Sequence, residues 1–215
     1  MLNAGSTLTM AKDFNEKSRE VTLEGEAFFD VSHNPGKPFI IHTSAMNVRV
    51  LGTVFNVKAY PADKTSETSL LKGSVEITLK NDIKKKIILR PNEKIVLPNV
   101  MAEKFQAENV TTKQITAIPV DYTIAGLTYI DSTVKEVSWT ENRLAFTDNS
   151  FEEIAPELER WYNVSIDIED EAVKEFRFTA TFDQKNIIQI LDVLQLTRPF
   201  EYSVEQNNQI IIRKK

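Results

Sequence analysis

Two histidines, His33 and His42, stand nine positions apart, and no H-x-H pair or third imidazole accompanies them in the 215-residue sequence. A cupin-like metal site on a β domain would normally want three histidines and a glutamate, and the chain holds no cysteine. That lack also removes disulfides and thiolate nucleophiles, while leaving the compartment open. Carboxylates are numerous, but any pair offered as acid and base, Glu24 and Glu26 for example, is equally well a solvated strand face. There is no glycine-rich phosphate loop, no G-x-S-x-G elbow and no H-E-x-x-H helix. His33, just ahead of Asn34-Pro35-Gly36, reads as a turn residue, and His42 as a solvent-facing position of a strand over 39–43. The residues point away from catalysis, metals and cofactors, and toward a protein that acts by binding.

Composition narrows the class of partner. With 41% hydrophobic and 9% aromatic residues the chain has ample material for packed cores, enough for one large or two ordinary domains. No apolar run approaches the roughly 20 residues of a membrane span, and no signal peptide opens the sequence. Charge is uneven. Residues 1–138 hold 17 Lys plus Arg against 16 Asp plus Glu, whereas residues 139–215 hold 9 against 15, so the acidity belongs to the last third. Nucleic acid needs clustered cations, which that region lacks. The one basic run, Lys84 to Lys86, follows the turn-prone Asn81-Asp82 and reads as a solvated hairpin arm or a charged edge.

Such surfaces must be carried by regular elements, and two periodicities divide the chain. Up to about residue 97 apolar residues alternate. Val21, Leu23, Ala27, Phe29 and Val31 fall on every second position around Gly25, and Val48, Val50, Phe55, Val57 and Ala59 do so around Gly52. The first stretch is expected to be two strands about a kink, the second a tight pair or a bent strand. Further strands over 75–79 and 95–97, with turns about every ten residues, predict a small antiparallel β-sandwich or roll. Between 98 and 138 the pattern weakens, which predicts a linker that packs partly on its neighbours and is open to limited proteolysis.

From Trp139 the period becomes helical. Ser150 followed by Glu153 has capping-box spacing, and Phe151, Ile154, Leu158 and Trp161 make an apolar stripe, with Pro156 predicting a kink or a late start. Asp183 is placed to cap a second helix whose buried face is Ile187, Ile190, Leu191 and Leu194. With strands at 143–146, 164–168, 176–182, 200–204 and 209–213, the order is β-α-β-β-α-β-β, a two-layer α+β domain over 139–215. The fold class is mainly β plus α+β, with domains at 1–97 and 139–215.

The phrases themselves carry a resemblance. R-E-V-T-L-E-G-E-A-F-F-D-V at 19–31, the pair Pro38-Phe39, and V-R-V-L-G-T-V-F-N-V-K-A-Y at 48–60 follow in the order seen in the FecR family of Gram-negative anti-sigma regulators. Trp139, Asn142, Arg143, Leu144 and Phe146, then Leu158 to Val164 and the run F-T-A-T-F at 178–182, resemble the small domain that follows FecR domains. That domain is similar to the short signalling domain of secretins and TonB-dependent receptors. FecR domains usually open with a strand running into L-N-A-G-S, and here Leu2 to Ser6 follows directly on Met1. The resemblance therefore implies an opening strand, one inner-membrane helix and a cytoplasmic sigma-binding segment upstream, with the present chain periplasmic. It also implies a relay from an outer-membrane TonB-dependent receptor, through the receptor's N-terminal signalling domain, to an extracytoplasmic-function sigma factor, with no enzyme activity and no cofactor.

Two expectations concern the contact. Partner binding by strand addition is expected at the final strand, Gln209, Ile210, Ile211, Ile212 and Arg213, because three successive isoleucines are apolar on both faces. Glu201 and Glu205 would tune partner choice by charge. The rival reading is a cell-envelope module holding a glycan, which would need an exposed aromatic cluster around Phe28 and Tyr60. Trp161 and Tyr162 read as core and near-core aromatics.

Overall fold

A computed structural model of the chain describes residues 1–99 and 121–215. The chain divides into two compact units, Met1–Thr128 and Tyr129–Lys215. Among the described residues no helix is long and apolar enough to cross a membrane.

The first unit is a curled sheet organised by one long strand. Strand β1 (Thr7–Met10) leads to β2 (Arg19–Asp30), followed by β3 (Phe39–His42), β4 (Met46–Val50) and β5 (Val54–Ala59). Then come β6 (Thr65–Lys72), β7 (Val75–Leu79), β8 (Lys86–Leu89), β9 (Glu93–Pro98) and β10 (Thr123–Gly126). The hydrogen-bonded order is β10-β9-β6-β5-β2-β3-β4-β7-β8. The predicted kink at Gly25 is where β2 changes neighbours rather than where it ends. Residues 19–22 pair parallel with β3, and residues 25–30 pair antiparallel with β5. Likewise the 48–60 stretch is two strands that do not pair with each other: β4 joins β3 and β7, while β5 joins β2 and β6. The sheet thus folds over itself, and both halves fill one core with Phe29 set 5.6 Å from Phe39 on one side and 5.2 Å from Phe55 on the other.

The opposite edge of β2 is lined by the first ten residues. β1 pairs with residues 21–24, Leu2 bridges to Ala27, and the Phe28 amide donates to the Met1 carbonyl. Gly25 makes this possible, with φ of +113° and a Cβ position that would lie 2.3 Å from the Ser6 hydroxyl. Around it the polar letters of the sequence phrases converge. Buried Glu26 accepts from the Asn3 amide (2.8 Å) and the Asn56 amide (2.8 Å), its own backbone N–H donates to the Ser6 hydroxyl (2.8 Å), and the Tyr60 hydroxyl donates to the Ala4 carbonyl (2.7 Å). A carboxyl group held by two amides in a buried place is expensive to remove, because its donors are then orphaned. Glu26→Ala is expected to cost about 2 kcal/mol, seen as a lower denaturation midpoint; an unchanged midpoint would show that water replaces the carboxylate.

The second unit contains more than the segment from 139 onward. It opens with a hairpin of β11 (Tyr129–Ile130) and β12 (Thr133–Val134), followed by a 3-10 helix over Lys135–Glu141. Earlier in the expected 98–138 linker, β10 extends the sheet of the first unit by pairing with β9. Residues 100–120 of that interval lie outside the described residues. The helical order then follows as read: β13 (Arg143–Ser150), a first helix (Phe151–Tyr162), β14 (Ser165–Ile168), a single turn at Glu171–Lys174, β15 (Arg177–Asp183), a second helix (Ile187–Thr197), β16 (Phe200–Val204) and β17 (Gln209–Lys214).

Local chemistry sets these boundaries. Ser150 and Glu153 form the reciprocal capping box, so the first helix starts at Phe151 with Pro156 inside it. The second helix is capped by Asn186, not by Asp183, and Gln189 closes its box. Asn142 and Asn163, from the two phrases W-x-x-N-R-L and R-W-Y-N-V, end their helices in the left-handed conformation that asparagine tolerates. The strands divide between two sheets, β13-β15 and β14-β17-β16, and both contribute with the two helices to one core centred on Phe151, which lies 5.3 Å from Phe178 and 5.2 Å from Phe200.

Candidate partner-binding surface

The final strand does not offer an edge. β17 is central, parallel to β14 on one side and antiparallel to β16 on the other, so Gln209 to Arg213 have no free ladder for strand addition. The triple isoleucine has a simpler cause. Ile210 and Ile212 are 1% and 0% exposed in the core, and Ile211 is half-buried on the outer face. Arg213 is also engaged: its Nε donates to Glu169 Oε2 (2.7 Å) and its Nη2 to Glu169 Oε1 (3.1 Å), which holds the Glu169 carboxyl below its ordinary range. The partner-binding assignment by backbone pairing at 209–213 is therefore corrected, and the edges of this sheet are β14 and β16.

These two edges differ. In β14 the outward amide of Ile166 is already taken, donating to Glu159 Oε1 of the first helix at 2.7 Å. In β16 the register fixes which groups look outward. The Glu205 amide donates to the Gln209 carbonyl, so residues 201, 203 and 205 turn toward β17 while Tyr202 and Val204 present N–H and C=O to the open side. The Tyr202 hydroxyl donates to Asp192 Oδ1 (2.7 Å), and burial together with that bond pushes its phenol up to about 12. The raised value means that the neutral phenol is favoured in the fold, so this contribution is present below the ordinary phenol range near pH 10 and is lost as pH rises through about 12. In an ultraviolet or NMR titration Tyr202 is expected to ionise well after a free phenol, and Asp192→Ala to bring its midpoint down; an unmoved midpoint would leave burial as the whole cause.

A second feature of this unit is a groove of about 360 Å³. Asn142, Leu144, Trp161, Tyr162, Phe182 and Lys185 line it, and thus three separate sequence phrases meet there. Trp161 and Tyr162 are half-buried and pack on the core, and the Tyr162 hydroxyl donates to the Lys185 carbonyl at 2.6 Å. Burial raises the Tyr162 phenol.

Among the described residues of the first unit, the exposed aromatic cluster expected around Phe28 and Tyr60 for a glycan is not formed. Tyr60 is buried with its hydroxyl bonded, and Phe28 is half-buried. The histidines part company as well: His33 packs against Gly52, while the His42 ring lies 3.0 Å from Glu20 and 2.8 Å from Asn47. Bonds from Ser18 and His42 lower the Glu20 carboxyl. Among the described residues no three His, Cys, Asp or Glu side chains come close enough to hold a metal ion.

Comparison with known proteins gives these surfaces a context. The family described as FecR protein matches residues 1–76, and that described as FecR, C-terminal matches residues 143–212. No curated protein matches. Two crystal structures of a candidate anti-sigma factor from Parabacteroides distasonis ATCC 8503, at 1.65 and 2.50 Å, superpose on this chain with a TM-score of 0.79 at 27% identity. Each covers all of this chain, which in turn covers 89% and 88% of theirs. One match falls within each separately cored unit, in the order read from the sequence, and the chain belongs to the FecR family of anti-sigma regulators.

Proposed function

We propose that this chain is the periplasmic sensing region of a membrane-anchored anti-sigma regulator, and that it relays a signal from an outer-membrane TonB-dependent receptor to an extracytoplasmic-function sigma factor. The observation that carries the reading is the pairing, in one chain, of a FecR unit with a FecR C-terminal unit whose small sheet keeps an open edge. A two-sheet unit with strand edges is suited to meeting the similarly built N-terminal signalling domain of the receptor, through backbone pairing with side chains setting the register. The sigma factor would be held by a cytoplasmic segment, across one inner-membrane span.

The test is made in the parent bacterium. Overproducing this chain in the periplasm is expected to compete for the receptor's signalling domain and lower nutrient-induced transcription of the receptor gene encoded beside it. Unchanged induction, with the chain shown to accumulate, would contradict the relay.

A further inference from the structure

We infer that the open edge of β16 is the surface on which a partner strand is added, and that this strand alternates apolar with basic residues. The inference rests on the relay reading and deepens it by naming the edge and the chemistry of its occupant. Four observations on the second unit carry it.

The first is the geometry already described. Tyr202 and Val204 direct their backbone groups away from β17; the outward Ile166 amide in the middle of β14 is occupied by Glu159, whereas on β16 the occupied outward group is the Phe200 carbonyl at its start, held by Gln195. The second is the setting of the other sheet. β13 is flanked by the 3-10 helix, where the Ser138 hydroxyl donates to the Arg143 carbonyl (3.1 Å) and Lys135 Nζ donates to Asn149 Oδ1 (2.9 Å). β15 exposes only polar side chains, Arg177, Thr179, Thr181 and Asp183.

The third is apolar surface beside β16. Leu196 is 86% exposed and Val204 56%. They lie where the second helix reaches the edge strand, since Gln195 Nε2 donates to the Phe200 carbonyl (2.6 Å) and Asp192 accepts from Tyr202. Leu196 follows Asp192 by one helical turn and so shares its side. An edge strand beside exposed aliphatic groups, with no lysine or bulge to blunt it, is a template for pairing.

The fourth is charge. Along β16 the side chains separate by face: Phe200, Tyr202 and Val204 turn toward the core side, and Glu201, Ser203 and Glu205 toward the other. Arg213, opposite Glu201 in register, is bound to Glu169 and does not neutralise it. An added strand therefore sets every second residue beside Glu201 and Glu205, where lysine or arginine is favoured, and the intervening ones beside Val204 and Leu196, where aliphatic groups are favoured. A second copy of this chain fits less well. Antiparallel pairing of two β16 strands centred on Ser203 would put Glu201 of each directly opposite Glu205 of the other, an unfavourable like-charge contact.

Titration of the whole chain with the isolated signalling domain of the TonB-dependent receptor encoded beside it tests this, read by hydrogen exchange and by affinity. New protection at the Tyr202 and Val204 amides is expected. Leu196→Glu, at an exposed position, should weaken binding about tenfold, the size expected of a contact near the centre of an interface. Glu201→Lys with Glu205→Lys should weaken it similarly and flatten its salt dependence. Val204→Pro removes an outward donor that no ladder bond uses, and should abolish pairing. The thermal midpoint of each variant separates lost contact from lost fold. Binding with protection confined to β15, the groove or the first unit overturns the edge and leaves the relay standing. Failure of the unsubstituted chain to bind overturns both, and a dimer of the chain alone that Leu196→Glu dissociates gives the edge to a second copy and overturns the inference.

Discussion

Gly25→Ala is expected to lower the melting temperature of the first unit by on the order of 10 °C, corresponding to about 4 kcal/mol. Two costs combine. At φ of +113° an alanine is strained, and its methyl would lie 2.3 Å from the Ser6 hydroxyl and 2.7 Å from the Ser6 Cα, the latter being backbone that cannot rotate aside. The cheapest escape is for residues 1–10 to leave β2, taking with them the bonds of Asn3 to Glu26 and of Tyr60 to Ala4. Calorimetry should therefore show a lower transition, and hydrogen exchange should show the Phe28 amide, which donates to Met1, losing protection. A shift of less than about 2 °C would mean that the segment closes over β2 without needing the glycine.

Phe151→Ala is expected to destabilise the second unit by about 3–5 kcal/mol and to leave the first unit's transition in place. Phe151 is fully buried, meets Phe178 edge-on and packs against Phe200, and so joins a strand of each sheet to the first helix. The two hydrophobic cores share no residue. Two calorimetric transitions, only one of which moves, would establish units that unfold separately; a common shift of a single transition would show that they unfold as one.

Periodicity revealed most of this architecture because the core-facing positions of the strands recur at every second residue. Val21, Leu23, Phe55 and Val57 are buried as their alternation requires, and the Ser150–Glu153 box starts the first helix as its spacing requires. Partnership was harder to read. Nothing in the letters says that β2 serves two sets of neighbours, because a strand that changes partner at Gly25 keeps the same side-chain period through the change. The final strand illustrates the same limit. Ile210 and Ile212 do mark the buried face, but polarity by face does not report lateral neighbours, and the strand read as an edge lies at the centre of its sheet. The β16 edge was legible only in part. Glu201 and Glu205 stood out by charge, whereas the exposure of Leu196 depends on which side of the second helix faces the core, a tertiary fact that a helix apolar on much of its circumference does not disclose.

The proposed relay requires direct contact between this chain and a receptor's signalling domain. Isothermal titration of the whole chain with the isolated signalling domain of the neighbouring TonB-dependent receptor addresses it most directly. A one-to-one complex of about micromolar affinity or tighter is expected, weakening as salt rises because the acidic edge of β16 would take a basic strand. The absence of binding at about 100 μM of both folded partners, which corresponds to an interaction weaker than about 5 kcal/mol, would contradict the relay.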